Sequence, residues 1–144
     1  MYIPIYKVAL VREKSCQVLT KVITSPADAY AILNNQSGSS DREVFLSLLL
    51  DSRGRVIGMH EISVGSLNNS LVHPRETFKA AILCNAATMI IAHCHPSGDL
   101  EPSKEDELVT ERLMLAGELM GIPVLDHLII SDTNFISLKE RGLM

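Results

Sequence analysis

The run Thr88-Met89-Ile90-Ile91-Ala92-His93-Cys94-His95-Pro96-Ser97-Gly98-Asp99, followed by Pro102-Ser103-Lys104-Glu105-Asp106, decides how this chain is read. It opens as a short apolar strand over 88–92 with two histidines at its carboxyl end. It then breaks at a Pro-Ser-Gly-Asp turn and restarts as a helix at Ser103. Side chains two apart on an extended strand share a face, so His93 and His95 project together. The pattern H-x-H-x₇-S-x₂-D supplies two imidazoles, a hydroxyl and a carboxylate within fourteen positions. Imidazole and carboxylate are usual zinc ligands, and three of them leave the fourth position to water, which separates a catalytic zinc site from a structural one. Cys94 alternates to the opposite face and reads as a buried thiol, not a ligand.

Other histidine motifs fit worse. An H-x-H-x-D-H pattern of the metallo-β-lactamase kind would need Asp and His where Ser97 and Gly98 stand, and a histidine triad would need His at Ser97. The H-x-E and P-C-x-x-C halves of the zinc deaminases are absent, as is H-E-x-x-H. Plainer readings exist as well. The histidines could be turn residues, although imidazoles ending a buried run must find polar partners. Ser103 with Asp106 three residues on is a capping-box-like helix start. That role is compatible with ligation, because helical steps from Asp106 collect Val109, Leu113, Ala116 and Met120, an apolar stripe that should face the core.

At 144 residues the chain is expected to be one domain, with an N-terminal strand or extension over 1–24 and a core over 25–144. A hydrophobic content of 47% and a charged content of 21% are ordinary for a soluble globular protein. No apolar run has the length of a membrane span, and 1–14 mixes charges with short apolar pieces, unlike a signal peptide. Three cysteines without C-x-x-C argue for a reducing compartment, so the cytoplasm is the expectation. A net charge of −4 gives no global attraction to nucleic acid.

Residues 3–12 and 16–23 read as strands or extended segments. Ser25-Pro26-Ala27-Asp28 starts a short helix to about Asn34, and a polar loop follows over 35–40. Glu43–Leu50 and Arg55–Val64 flank an Asp51-Ser52-Arg53-Gly54 turn as a hairpin, its leucine-rich first strand covered on both faces. A loop runs from Gly65 to Leu71. A helix then runs from His73 to about Asn85, and another from Ser103 to Met120, stopped by Gly121 and Pro123. Val124–Ile130 and Phe135–Leu138 close as strands around the Ser131-Asp132-Thr133-Asn134 turn. Helices interleaved with a hairpin and single strands predict an α/β sandwich on a mixed sheet.

The blocks His93-Cys94-His95-Pro96-Ser97-Gly98-Asp99, Pro102-Ser103, Asp106, His73-Pro74-Arg75-Glu76 and Leu125-Asp126-His127 resemble the JAB/MPN metalloenzymes with the JAMM signature, most closely their RadC-like branch. The resemblance covers residues 25–144 and implies a deaminase-like three-layer α/β/α sandwich. It further implies that His93, His95 and Asp106 bind Zn²⁺, that Ser103 helps hold an oxyanion, and that Glu43, heading Glu43-Val44-Phe45-Leu46, is the general base. From the residues alone Glu61, Asp51 and Asp99 are competing carboxylates, and Glu43 could be a solvated edge charge. Asp99 is most simply a turn residue, and His60 and His73 structural. A role for His127 behind the ligands stays open. Cys94 stands where RadC-like relatives usually carry Asn, which places a thiol beside the site.

The implied activity is hydrolysis of an amide, peptide or isopeptide bond by metal-activated water. The substrate class is a peptide, a protein conjugate or a small amide. An accessory role in DNA repair or recombination, with the zinc domain as a binding module, is the alternative, and an inactive zinc scaffold a third. Longer RadC-like proteins carry an upstream helix-hairpin-helix-like region that this sequence does not include, which weakens a direct DNA association. Arg75 with Lys79 and Arg53 with Arg55 are the small cationic clusters that reading would use. No membrane partner is expected, and oligomeric state is not legible.

Overall fold

In the computed structural model, which describes residues 1–18, 20–37, 42–65 and 72–144, the leucine-rich run Val44–Leu50 forms strand β1 and is buried at every position. A strand with no wet face needs neighbours on both edges and a layer on both sides. Strand β2 (Val56–Val64) returns antiparallel along one edge, and β3 (Thr88–Cys94) lies antiparallel along the other. Beyond β3 come β4 (Val124–Ile130), parallel to it, and β5 (Phe135–Ser137), antiparallel to β4. The described residues thus form a mixed sheet in the order β2-β1-β3-β4-β5.

Helices α1 (Pro26–Ser37), α2 (Pro74–Leu83) and α3 (Lys104–Met120) supply the two outer layers. Strand alternation sorts the core. Leu46, Leu48, Ile90, Ala92 and Cys94 pack with Ala29, Ile32 and Leu33 of α1. Phe45, Leu49, Met89 and Ile91 pack with Phe78 of α2 and with Val109 and Leu113 of α3. This is the expected three-layer α/β/α sandwich on a mixed sheet. Parallel strands need a crossover, and α3 provides it, so its first turn stands beside the carboxyl end of β3. That is where open α/β sheets place their sites.

Close backbone approach brings α3 onto β4. A Cβ on Gly117 would sit 2.7 Å from the Ile122 carbonyl oxygen, so only glycine fits there. The turn after His95 closes with Gly98 N–H donating to the His95 carbonyl at 3.1 Å, at a φ of 79° that glycine tolerates.

Several boundaries differ from the sequence reading. Helix α1 runs on through Ser37, so the polar loop expected from 35 starts later; residues 38–41, and the loop positions 66–71, lie outside the described residues. Strand β3 reaches Cys94, which puts His93 inside the strand and His95 just past it. The inner stripe of α3 is Asp106, Val109, Thr110, Leu113 and Gly117, whereas Ala116 is only half-buried and Met120 is exposed. The largest difference is at the N-terminus. Residues 1–18 form no strand, and the segment expected over 16–23 is reduced to a bridge between Val22 and Arg55.

Candidate metal centre

Residues Phe45↔His93 and Val44↔Cys94 pair across β1 and β3, and one further step in that register sets Glu43 opposite His95. Directly opposed residues of an antiparallel pair share a face. Glu43, His93 and His95 therefore stand together on the face that α3 covers, and their ligating atoms all lie within 4.8 Å of one another. The first turn of α3 brings Asp106, fully buried, against them. Its Oδ1 lies 3.0 Å from His93 Nδ1 and its Oδ2 3.7 Å from His95 Nε2. A tetrahedral zinc with ligands at about 2.1 Å sets neighbouring donor atoms about 3.4 Å apart, close to the His95–Asp106 spacing. The 3.0 Å His93–Asp106 contact is instead a hydrogen bond, and the cluster whose ligating atoms all lie within reach of one ion is Glu43, His93 and His95.

Hydrogen bonding decides which ring nitrogens can coordinate. His95 Nδ1 sits 2.6 Å from the Asp99 carbonyl oxygen, which can only accept, so Nδ1 carries the proton and Nε2 keeps its lone pair. His93 Nδ1 donates to the Asp106 carboxylate, leaving the lone pair on Nε2, and that atom, like Nε2 of His127, is buried without a hydrogen-bond partner among the described residues. An orphaned buried acceptor is costly. Two nitrogen lone pairs beside two carboxylates are a donor set that suits zinc, and the unmatched Nε2 is what a ligated ion would satisfy.

Ser103 caps α3 as the sequence suggests. Its Oγ accepts from Asp106 N–H at 3.1 Å, and Asp106 Oδ2 accepts from Ser103 N–H at 2.7 Å. Burial pushes the Asp106 carboxyl upward, but the hydrogen bonds from His93 and Ser103 outweigh it and hold the group at about 2. Asp106 is thus cap, hydrogen-bond acceptor and candidate ligand together.

These groups line a cleft of about 440 Å³ whose rim adds Asp99, Glu101 and Glu105. Of the competing carboxylates, Asp99 lines this cleft. Asp51 is tied into the β1–β2 turn by Arg55 Nε at 2.7 Å, and Glu61 is an exposed residue of the outer strand β2. Asp99 is more than a turn residue, since its carbonyl orients His95. His73 caps α2 through Nδ1, which accepts from Arg75 N–H at 3.1 Å. His60 is half-buried on β2. Cys94 points away from the site into the α1 layer, and burial pushes its thiol up, so no reactive thiol stands beside the histidines.

Sequence reasoning missed Thr110. Its hydroxyl donates to the Asp106 carbonyl at 2.6 Å and meets Nδ1 of the fully buried His127, joining the first turns of α3 to β4. Burial, above all, holds His127 down at about 3, so it is neutral. A threonine one helical turn after Asp106 was the available signal. Asp126 serves the fold: its carboxylate accepts from His127 N–H, Lys139 N–H and the Ser137 hydroxyl.

Among the described residues no helix is long and apolar enough to cross a membrane. A family model described as RadC-like JAB domain matches residues 23–143. The chain is 50% identical over 123 residues to a UPF0758 protein of Desulforamulus reducens, covering 85% of this chain and 54% of that protein. A UPF0758 protein of Moorella thermoacetica is 52% identical with the same coverage, and one of Methanosarcina acetivorans is 46% identical over 122 residues, 85% of this chain and 53% of that protein. The chain therefore spans about half the length of the curated relatives it matches.

Proposed function

Because this chain belongs to the RadC-like JAB domain family, we propose that it is a zinc-dependent hydrolase that cleaves an amide, peptide or isopeptide bond. One observation carries the reading: His93 Nε2 is buried and unpartnered in a cleft where Glu43, His95 and Asp106 converge. His93, His95 and Asp106 would hold the ion. Bound zinc lowers the pKa of a coordinated water from about 15.7 to about 7.

The remaining work falls to the chain. Glu43, half-buried in the cleft, takes a proton from the attacking water and returns it to the leaving amine. Such acid–base help is worth roughly 10² to 10⁴ in rate. Ser103 Oγ accepts the Asp106 N–H, so its own O–H is left to donate to the substrate carbonyl as negative charge develops there. Asp99, through its carbonyl, keeps His95 in the tautomer with its lone pair on Nε2.

The DNA-accessory reading draws little support. Lys79 and Arg75 both engage Glu76, Arg55 engages Asp51, and the cleft rim is acidic, which repels phosphate.

Metal analysis combined with a peptide and isopeptide screen tests the proposal. The purified chain should carry one zinc, and Glu43→Gln should keep that zinc while losing roughly 10² to 10⁴ in turnover. A wild-type chain that takes up no zinc ends the hydrolase reading. A Glu43→Gln chain that loses its metal or keeps full activity ends the assignment of the base.

A further inference from the structure

The segment Ile3-Pro4-Ile5-Tyr6-Lys7-Val8-Ala9-Leu10-Val11 has strand composition and pairs with no strand among the described residues. Ile3, Ile5, Tyr6, Val8 and Val11 are between 71% and 96% exposed. Apolar side chains occur here on both alternating faces, as in a strand covered on two sides. Contiguous exposed apolar runs mark interaction sites.

The sheet offers an acceptor. Strand β2 is an outer strand, nine residues long, paired with β1 on one side. On its outer side the described residues touch it only at its start, where Val22 bridges Arg55, Ile23 N–H donates to the Gly54 carbonyl at 2.9 Å and Val56 N–H donates to the Lys21 carbonyl at 2.7 Å. Natural edges are blunted by lysine, proline, bulges or a covering element. Strand β2 contains neither lysine nor proline, and its irregularities against β1 are confined to single extra residues at Ile57 and Ile62. Charge also matches: the donor segment and its linker carry Lys7, Arg12 and Lys14 against Glu13, while β2 carries Glu61 and no lysine or arginine.

The ladder that the Val22–Arg55 bridge starts does not carry this segment along the chain's own β2. The bridge is antiparallel with Val22 opposite Arg55, so continuing that ladder sets Glu13 opposite Val64, the last residue of β2. Residues 3–11 would then pass beyond the strand's end. A bulge shifts a register by about one residue, far too little to bring them back. Nine extended residues reach roughly 30 Å, so the chain between this segment and the bridge is long enough to carry it to a neighbour.

We infer that residues 3–11 add as a strand to the open β2 edge of a second copy of this chain, and that the exchange is reciprocal. The result is a two-fold dimer in which each copy both donates and accepts a strand. This inference is independent of the hydrolase reading.

Sedimentation equilibrium of the full chain tests it, with the double variant Ile5→Pro/Val8→Pro as control. Proline removes ladder donors, and these residues lie outside the packed core, so the core should still unfold cooperatively while far-ultraviolet circular dichroism loses only the added strand. The wild type should sediment at twice the mass of the 15.8 kDa chain and the variant at that mass, with amides of 3–11 protected from hydrogen exchange in the wild type only. A wild type that stays monomeric at micromolar concentration overturns the inference. So does a dimer that survives both prolines, or protection of 3–11 at monomer mass, which would mean pairing within one chain.

Discussion

Asp106 and Asp126 are both buried aspartates on neighbouring elements, one in the first turn of α3 and the other on β4, and their surroundings differ in kind. Asp126 is closed off: its acceptors are met by two backbone N–H groups and the Ser137 hydroxyl, all from β4 and the chain that follows it. Asp106 accepts from Ser103 N–H and from His93, and its second oxygen faces His95 Nε2 across 3.7 Å at the floor of an open cleft. A carboxylate whose bonds are all internal holds a fold together. One that faces a second imidazole across an open cleft is arranged for something that binds.

The widest separation between the two should come from alanine substitution. Asp106→Ala is expected to drop zinc from about one equivalent to a small fraction and to abolish turnover, since a ligand is lost. Asp126→Ala should keep its zinc but lose roughly 3 kcal/mol of stability, because two buried donors and one part-buried donor lose their acceptor. Elemental analysis beside urea denaturation reads both, and zinc loss in Asp126→Ala would erase the distinction.

The pH dependence of the chelator-treated protein sharpens the contrast next. His127 is held at about 3 against an ordinary 6.5, so the unfolded chain binds its proton first. The stability due to its neutral burial is whole above pH 6.5 and is lost as pH falls toward 3, at up to about 1.4 kcal/mol per pH unit. Asp106 adds a lower window: its contribution is whole above 3.8 and disappears as pH falls through about 2. Urea midpoints should decline through the upper window in wild type and less in His127→Gln. An equal decline in both would remove His127 as the cause.

The smallest expected effect on the fold is that of Ser103→Ala. Losing the cap should cost about 1 kcal/mol, zinc should remain, and turnover should fall roughly 10²-fold. A pure stability loss with unchanged turnover would place Ser103 with Asp126, as a structural residue.

Much of this site is legible in local sequence because its parts are close along the chain. His93 and His95 are two apart at a strand end, and Asp106 follows one turn and one helix start later, so alternation and capping rules suffice. The same locality made β1 readable as an inner strand, since seven consecutive buried residues are covered on both faces. Glu43 is different. Nothing in spacing joins it to residues fifty positions on, and from residue type alone Asp51, Glu61 and Asp99 competed with it.

Taken by itself, the amino-acid order determined the helices and strands from residue 26 onward to within a few residues, and placed two imidazoles and a carboxylate near one sheet end. Only the tertiary structure decided the rest. The β1–β3 register brought Glu43 opposite His95, Thr110 was found to tie α3 to His127, and Cys94 was turned into the other core layer. It also left the apolar residues of 3–11 exposed. The reason is physical: hydrogen-bond ladders and core packing set distances between residues far apart in the chain, and no local propensity encodes a register that a distant strand supplies.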